Sequence, residues 1–230
     1  PVASLMLSTQ LLRDYAPRLT PQDIQEKVAG IYSQAQQLSK LINSILDLSR
    51  LEARRGQKGN EYCDIARALH DVAVELTQQI AVKHHHLDLQ IEGETFNLTG
   101  DQLDLERIWR NLLSNAIKYT PDGGRITARL YNPGQKLPAL PEFVPALPAT
   151  LTNGCYVMGL VEDNGRGIHP DELSTLFTRF NRGWAARSNI PGTGLGLALV
   201  EEMLHLYGGD IAVATTLGQG STFCFWIPLD

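Results

Sequence analysis

The sequence predicts an α+β protein in which a helical hairpin is followed by a sandwich of a mixed sheet covered on one face by helices. Two observations support this fold class. Residues 22–53 lack proline and carry apolar residues at alternating steps of four and three, which is typical of a long helix with a heptad seam. The rest of the chain mixes amphipathic helical segments with short alternating segments, some of which return as hairpins.

The predicted hairpin occupies residues 1–55. Its first helix is indicated by apolar residues at helical spacing, Val2, Leu5, Leu12 and Tyr15. The chain then breaks at Pro17, and Thr20-Pro21 is a favoured start for the second helix. The seam of the second helix consists of Ile24, Val28, Ile31, Ala35, Leu38, Ile42 and Ile45. Because two helices leave such a stripe uncovered, we expect a homodimer that forms a four-helix bundle; packing of the hairpin on the following domain is the alternative.

Residues 56–61 are polar and contain glycine, as linkers do, and the second domain is predicted to span residues 62–230. Its predicted helices cover residues 64–83, with Asp64 as N-cap, and residues 104–120, 170–177 and 193–207. Its predicted strands cover residues 87–91, 126–130, 156–162, 211–214 and 222–227, the last two joined as a hairpin. Residues 132–153 contain five prolines and are predicted to form a long irregular loop.

The composition limits the partners and the compartment. The net charge of −5 and the lack of a dense Lys/Arg stripe argue against nucleic-acid binding. The three cysteines are far apart and lack CxxC spacing, which argues against a disulfide framework or a structural zinc site. No apolar run approaches the ~20 residues that span a bilayer. We therefore expect no membrane contact within these residues and a cytoplasmic location, as a separate protein or as the cytoplasmic part of a membrane-anchored one.

The most informative polar residues lie in the predicted helix over residues 104–120. Asn111, Asn115 and Lys118 are spaced by four and three residues, so they share one face of this helix. Asparagine is a poor helix former, and a buried amide is costly unless something hydrogen-bonds to it. The pattern therefore indicates either a solvated polar face or one wall of a binding site. The apolar face consists of Leu105, Ile108, Trp109, Leu112, Leu113, Ala116 and Ile117.

Two glycine-containing segments carry further candidate ligand contacts. The first, residues 163–167, reads Asp-Asn-Gly-Arg-Gly and follows a predicted strand. This arrangement suits a carboxylate that grips a ligand beside a sharp turn, with an ordinary Asx turn as the alternative. The second, residues 192–196, reads Gly-Thr-Gly-Leu-Gly and opens a predicted helix, where backbone N–H groups favour phosphate. It matches neither the dinucleotide fingerprint nor the P-loop.

Taken in order, these segments resemble the sensor histidine kinases of two-component signalling. The catalytic domain of that family belongs to the GHKL superfamily, which gyrase, Hsp90 and MutL share. The matching motifs are the N box at residues 111–119, the G1 box at 163–167, the F box at 176–182, the G2 box at 192–196 and the closing hairpin at 218–223. Residues 1–55 resemble the dimerisation and phosphoacceptor hairpin of the same family.

The resemblance implies ATP and Mg²⁺ as cofactors and assigns roles to individual residues. Asp163 would accept a hydrogen bond from the adenine amino group, and Asn115, assisted by Asn111, would hold Mg²⁺. Lys118 and Arg182 would lie at the phosphates and, with Asn111, are the expected catalytic residues. The other expected nucleotide contacts are Tyr119, Gly165, Gly167, Ile168, Phe180, Gly192, Thr193, Gly194, Leu195, Gly196, Leu197 and Ser221.

The reaction implied by the resemblance is transfer of the γ-phosphoryl group of ATP to a histidine, for relay to an aspartate of a response regulator. Hydrolytic relatives carry glutamate at the position of Asn111, and an amide cannot act as a general base, so Asn111 fits a kinase. Pro1 resembles the proline that ends the family's H box, so the acceptor histidine is expected just upstream of it. Residues 181–191 would form a lid over ATP. The alternatives are a GHKL-type ATPase that drives conformational change and a non-catalytic nucleotide-binding scaffold that signals as a dimer.

Overall fold

The N-terminal part of the chain is a helical hairpin in a computed structural model that describes residues 2–15, 19–54, 59–93, 96–131, 156–181, 183 and 192–229. Helix α1 spans Val2–Tyr15 and α2 spans Pro21–Ala53. A capping box fixes the start of α2, because Thr20 Oγ1 accepts from the Asp23 N–H at 3.1 Å and the Asp23 carboxylate accepts from the Thr20 N–H at 2.9 Å. The predicted helix start at Thr20-Pro21 is thus confirmed.

The predicted seam of α2 is only partly covered within one chain. Ile24 and Leu38 are half-buried, whereas Val28, Ile42 and Ile45 are exposed. A row of exposed apolar side chains along a helix is typical of a surface that another molecule buries. The exposed surface of α2 is suitable for the predicted homodimeric four-helix bundle, which stays a prediction.

The strands of the second domain are β1 (Glu61–Asp64), β2 (His86–Glu92), β3 (Asn97–Gly100), β4 (Arg125–Tyr131), β5 (Tyr156–Asp163), β6 (Asp210–Thr216) and β7 (Gly220–Pro228). Five of them form a mixed sheet in the order β2-β4-β5-β7-β6. Strands β2 and β4 run parallel, and the other neighbours are antiparallel, which confirms the predicted mixed sheet. A separate antiparallel pair, β1 with β3, was not predicted, because strands of four residues show too little alternation to recognise.

Helices cover one face of the sheet and enclose the main core. They are α3 (Ile65–Glu75), α4 (Thr77–Val82), α5 (Gln102–Tyr119), α6 (Pro170–Leu173) and α7 (Gly196–Leu206). Helix α5 is central, since it contacts α3, α7, β4 and β5. Its Trp109 is fully buried, packs edge-on against Phe225 with ring centroids 5.0 Å apart, and donates to the Ile65 carbonyl at 3.2 Å. Gly159 makes room for this pair, because a Cβ there would strike the Phe225 ring.

Three predicted helices have different boundaries in the structure. The helix predicted over residues 64–83 is divided at Leu76, where the Thr77 hydroxyl donates to the Ala73 carbonyl at 3.1 Å. The helix predicted over residues 170–177 ends at Leu173, since the chain continues in tight turns. The helix predicted from residue 193 begins at Gly196.

All of residues 132–153 and most of the predicted lid lie outside the described residues. Within the described ranges, no helix is both long enough and apolar enough to cross a bilayer.

The last turns of α2 pack on the second domain. Leu48 and Leu51 are buried in the same core as the sheet and its helices. Just beyond α2, Arg54 contacts the acidic start of α5. The C-terminal end of α2 thus packs on the second domain, as expected if the hairpin packs on the domain that follows it. The earlier turns of α2 still have exposed apolar residues. The domain boundary at residues 56–61 stays a prediction.

Candidate nucleotide-binding site

The polar face of α5 forms one wall of the candidate site. Asn111, Asn115 and Lys118 are all half-buried, so this face is not simply solvated. Asn111 Nδ2 donates to the Arg107 carbonyl at 2.8 Å, which fixes the amide and directs its Oδ1 at the start of α7. A Cβ built on Gly196 would lie 2.7 Å from that oxygen. The predicted magnesium-binding face and the predicted phosphate-binding segment therefore lie side by side.

Asp163 closes another wall at the end of β5. Its side chain is only 8% exposed, and its Oδ1 accepts from the Gly165 N–H at 2.8 Å. Burial raises the pKa of Asp163, while hydrogen bonds from the backbone N–H groups of Gly165 and Ser221 act in the opposite direction. A partly desolvated carboxylate held by backbone donors is a suitable acceptor for an exocyclic amine of a ligand.

The first glycine segment fits between α5 and β6. A Cβ on Gly165 would lie 2.7 Å from the Tyr119 carbonyl oxygen, and a Cβ on Gly167 would strike the Thr216 carbonyl. The Ile168 N–H donates to Thr215 Oγ1 at 2.8 Å. The segment is therefore fixed at both ends, and Asp163 and Tyr119 meet beside it.

The second glycine segment lies next to the end of α5. A Cβ on Gly192 would lie 2.6 Å from Lys118 Nζ, and this Nζ is 3.0 Å from the Tyr119 hydroxyl. Gly194 has φ +72, a conformation that favours glycine, and a Cβ there would lie 2.7 Å from the Asn181 carbonyl oxygen. The Leu195 N–H donates to Thr193 Oγ1 at 3.3 Å. Lys118 and the second glycine segment thus lie beside each other, where the sequence predicts that the phosphates bind.

The remaining expected contacts divide into three groups. Phe180 is 61% exposed with φ +64, so its ring is available beside the loop. The side chains of Leu195 and Leu197 belong to or pack against the core, so only their backbone groups remain as candidate contacts. Arg182 and residues 184–191 lie outside the described residues.

Thr215 is a site residue that the sequence did not indicate. Its Oγ1 donates to the Gly220 carbonyl at 2.9 Å, accepts from Ile168 and lies 3.0 Å from the hydroxyl of Ser221. Ser221 lies opposite Asp163 in the sheet. Thr215 therefore joins the first glycine segment to the strand behind Asp163, a role that depends on strand pairing and carries no local sequence signal.

The two asparagine amides on α5 are the candidate metal ligands of this site. Among the described residues, no group of three or more His, Cys, Asp and Glu side chains could hold a metal ion. The amide oxygens of Asn111 and Asn115 are oxygen ligands of the kind Mg²⁺ accepts when phosphates and water supply the rest. The site therefore fits Mg²⁺ that arrives with a phosphate ligand.

The chain matches two protein families in the order expected from the motifs. Residues 100–230 match the family described as histidine kinase-, DNA gyrase B-, and HSP90-like ATPase, and residues 1–54 match the His Kinase A (phospho-acceptor) domain. The first match covers more than half of the chain. The chain therefore belongs to the histidine kinase-, gyrase B- and HSP90-like ATPases, a family whose domain binds ATP. With the hairpin match, it is a core of the sensor histidine kinase type.

Individual relatives agree with this family. The circadian input-output histidine kinase CikA of Synechococcus elongatus is 32% identical over 225 residues, which are 96% of this chain and 27% of CikA. Histidine kinase AdeS of Acinetobacter baumannii has the same fold, with a TM-score of 0.72, 20% identity and coverage of 100% of this chain and 95% of AdeS. Histidine kinase ThkA in complex with response regulator protein TrrA gives a TM-score of 0.69 at 16% identity, covering 99% of this chain and 58% of ThkA. The chain spans 27% to 41% of the length of its first curated relatives.

Proposed function

We propose that this chain binds Mg-ATP and transfers the γ-phosphoryl group to a histidine, for relay to an aspartate of a response regulator. The observation that carries the proposal is the contact of the Asn111 amide with the glycine-rich start of α7. This contact brings a candidate metal ligand next to a candidate phosphate-binding loop. The amide of Asn111 cannot deprotonate water, so it suits phosphoryl transfer to a histidine better than hydrolysis.

The geometry supports a proposed role for each of the main site residues. The Asp163 carboxylate would accept from the adenine amino group, with Thr215 and Ser221 supporting the strand behind it. Lys118 would supply positive charge at the phosphates, which is the main requirement of phosphoryl transfer. Mg²⁺ would neutralise charge on the phosphates, with Asn111 and Asn115 as its protein ligands.

The acceptor histidine is proposed to lie before Pro1, on the hairpin. All six histidines of the chain, His70, His84, His85, His86, His169 and His205, fall in the second domain and none lies on α1 or α2. The exposed apolar residues of the hairpin fit a second copy of the chain, and a homodimer would place two hairpins beside two nucleotide sites. A response-regulator receiver domain is the proposed recipient, by analogy with the ThkA–TrrA complex.

Phosphotransfer between chains tests the proposal. This chain is mixed with a version extended before Pro1 by a helical segment that contains one histidine, and ATP labelled at the γ-phosphate is added. We expect acid-labile, base-stable label on the extended chain, and much less when both chains carry Asp163→Asn. Tight ATP binding without any transfer would instead favour the nucleotide-binding scaffold.

Hydrolysis separates the kinase from the ATPase alternative. Because Asn111 cannot act as a general base, we expect the chain alone to release inorganic phosphate only slowly. Rapid steady-state turnover that disappears with Asn111→Ala would contradict the kinase and favour a GHKL-type ATPase.

A further inference from the structure

A lysine from outside the nucleotide site holds the end of α5. Lys83 Nζ lies 2.8 Å from the Ile117 carbonyl oxygen, 3.3 Å from that of Lys118 and 3.4 Å from that of Thr120. Carbonyl groups in the last turn of a helix lack partners within the helix, and Pro121 has no N–H to offer to Ile117. An ammonium group has three N–H donors, and positive charge is favoured at a helix C-terminus. Lys83 therefore provides the donors that α5 lacks.

The residues beside Lys83 attach the same segment to α5 and to the turn after it. The Lys83 carbonyl accepts from the Gly123 N–H at 2.8 Å, and the His86 N–H donates to the Gly124 carbonyl at 2.9 Å. His85 is buried, and its Nε2 lies 3.1 Å from the Ile117 carbonyl oxygen. Residues 83–86 thus hold the end of α5, and we call these four residues the clamp.

The end of α5 touches both glycine segments of the candidate site. Lys118 Nζ lies beside Gly192, and the Tyr119 carbonyl oxygen lies so close to Gly165 that a Cβ on this glycine would meet it at 2.7 Å. A small displacement of this helix end would therefore change both the phosphate side and the base side of the site. The contact of the Tyr119 carbonyl with Gly165 joins two backbone segments, so it transmits a shift instead of absorbing it.

We propose that Lys83 is a positioning residue for nucleotide binding: by holding the carbonyls of Ile117, Lys118 and Thr120, it keeps Lys118 and Tyr119 in register with both glycine segments. The inference rests on the proposed function in that it takes ATP as the ligand. Lys83 itself acts only through the end of α5, since each of its hydrogen bonds named above goes to that helix end or the turn that follows.

The test compares three variants, Lys83→Met, Lys83→Arg and Lys27→Met. Lys83→Met removes the donors and the charge, Lys83→Arg keeps both, and Lys27→Met removes an exposed lysine of α2 as the matched control. Affinity for ATP is measured by calorimetry at a temperature at which circular dichroism shows each variant folded. We expect Lys83→Met to weaken ATP binding about tenfold, Lys83→Arg to restore much of the loss, and Lys27→Met to bind as the unaltered chain does.

Hydrogen exchange provides a second reading that does not depend on ATP. In the ligand-free chain, Lys83→Met should speed amide exchange at residues 118–124 more than in α3 or α7, because the end of α5 loses its donors. If Lys83→Met does not fold, Lys83→Gln, which keeps one donor group without charge, takes its place. Unchanged ATP affinity and unchanged exchange would overturn the proposal, as would an equal loss of affinity in Lys27→Met. If the unaltered chain fails to bind ATP, the proposed function fails, and the exchange measurement still decides on the clamp.

Discussion

The guanidinium of Arg54 lies 3.1 Å from the carboxylate of Asp101, the N-cap of α5. The same guanidinium reaches Asp104, a carboxylate that is only 1% exposed, at 3.4 Å. Burial raises the pKa of Asp104 and the neighbouring Asp101 raises it further, whereas Arg54 and Arg107 oppose both effects. One arginine at the end of the hairpin thus compensates the buried acidic start of the helix that carries the nucleotide face.

Removal of Arg54 should destabilise the chain in a pH-dependent way. Arg54→Met leaves the buried Asp104 carboxylate with Arg107 as its remaining cation, and we expect a loss of ~1 kcal/mol in the free energy of unfolding at neutral pH. The expected loss of ~1 kcal/mol is small for removal of one partner of a buried ion pair, because Arg54 is 43% exposed and solvent screens its attraction to Asp104. Urea denaturation provides the measurement, and Arg50→Met, which changes an exposed arginine in the last turn of α2, is the control.

The pH dependence of this loss has a definite sign. Arg54→Met raises the folded pKa of Asp104 further above the unfolded value of 3.8. The loss of unfolding free energy caused by Arg54→Met is therefore small below the unfolded pKa of Asp104 and grows as the pH rises through its folded pKa. A loss that is the same in acid and at neutral pH would show that Asp104 is not the group that Arg54 compensates.

Asp163→Asn should separate nucleotide affinity from stability. Loss of the charged acceptor should weaken ATP binding about tenfold to a hundredfold, the range expected for a hydrogen bond to a charged group. The ligand-free chain should become more stable at neutral pH, by ~0.5–1 kcal/mol, because the variant no longer buries a charge. Calorimetric titration with ATP and thermal unfolding without it measure the two quantities on one preparation.

The gain from Asp163→Asn should depend on pH. Since burial raises the folded pKa of Asp163 above the unfolded value of 3.8, this carboxyl contributes stability below the unfolded pKa and loses it as the pH rises through the folded pKa. The difference in unfolding free energy between the variant and the unaltered chain should therefore increase from acid to neutral pH. A variant that is less stable than the unaltered chain at neutral pH would contradict this account.

Much of the fold and part of the site could be predicted from the sequence, because both depend on local patterns. The seam of α2, the alternation in β4 and the apolar face of α5 each repeat with the period of their own secondary structure. Asn111 and Asp163 could be named as candidate site residues for the same reason, since each lies in a short motif with a fixed relation to a helix or a strand.

The features that could not be predicted depend on contacts between distant residues. Thr215 and Lys83 are ordinary polar residues in sequence, and their roles arise only when β6 pairs with β7 and when α4 ends beside α5. His85 is a further example, because it is buried against the end of α5 while its neighbours His84 and His86 are exposed. No local pattern records such contacts: Lys83 and His85, for example, lie 34 and 32 residues from Ile117 in the sequence.

Gly196→Ala should disturb the site without harming the fold. The new methyl group would lie 2.7 Å from Asn111 Oδ1, so the amide must rotate away. Alanine is the better helix former, so we expect no loss of stability but at least about a tenfold loss of affinity for Mg-ATP. Gly30→Ala is the matched control, because no atom lies within 4 Å of its new Cβ. This control should leave binding unchanged, and equal affinities in all three proteins would show that Asn111 does not contact the ligand.

His84→Gly should stabilise the chain, because His84 has φ +54 and a side chain with a Cβ is strained in that conformation. The residue is exposed and lies in the turn between α4 and β2, so its ring contributes little packing. Relief of the strain, less the entropy that glycine loses on folding, should add ~0.5–1 kcal/mol to the free energy of unfolding.

Gly123→Ala is the opposite test, because Gly123 has φ +77 and no atom lies within 4 Å of a new Cβ. The expected loss of about 1 kcal/mol in the free energy of unfolding therefore comes from the backbone alone. Urea denaturation measures both, and a stability change of the same sign in the two variants would show that backbone strain does not set the energy of these turns.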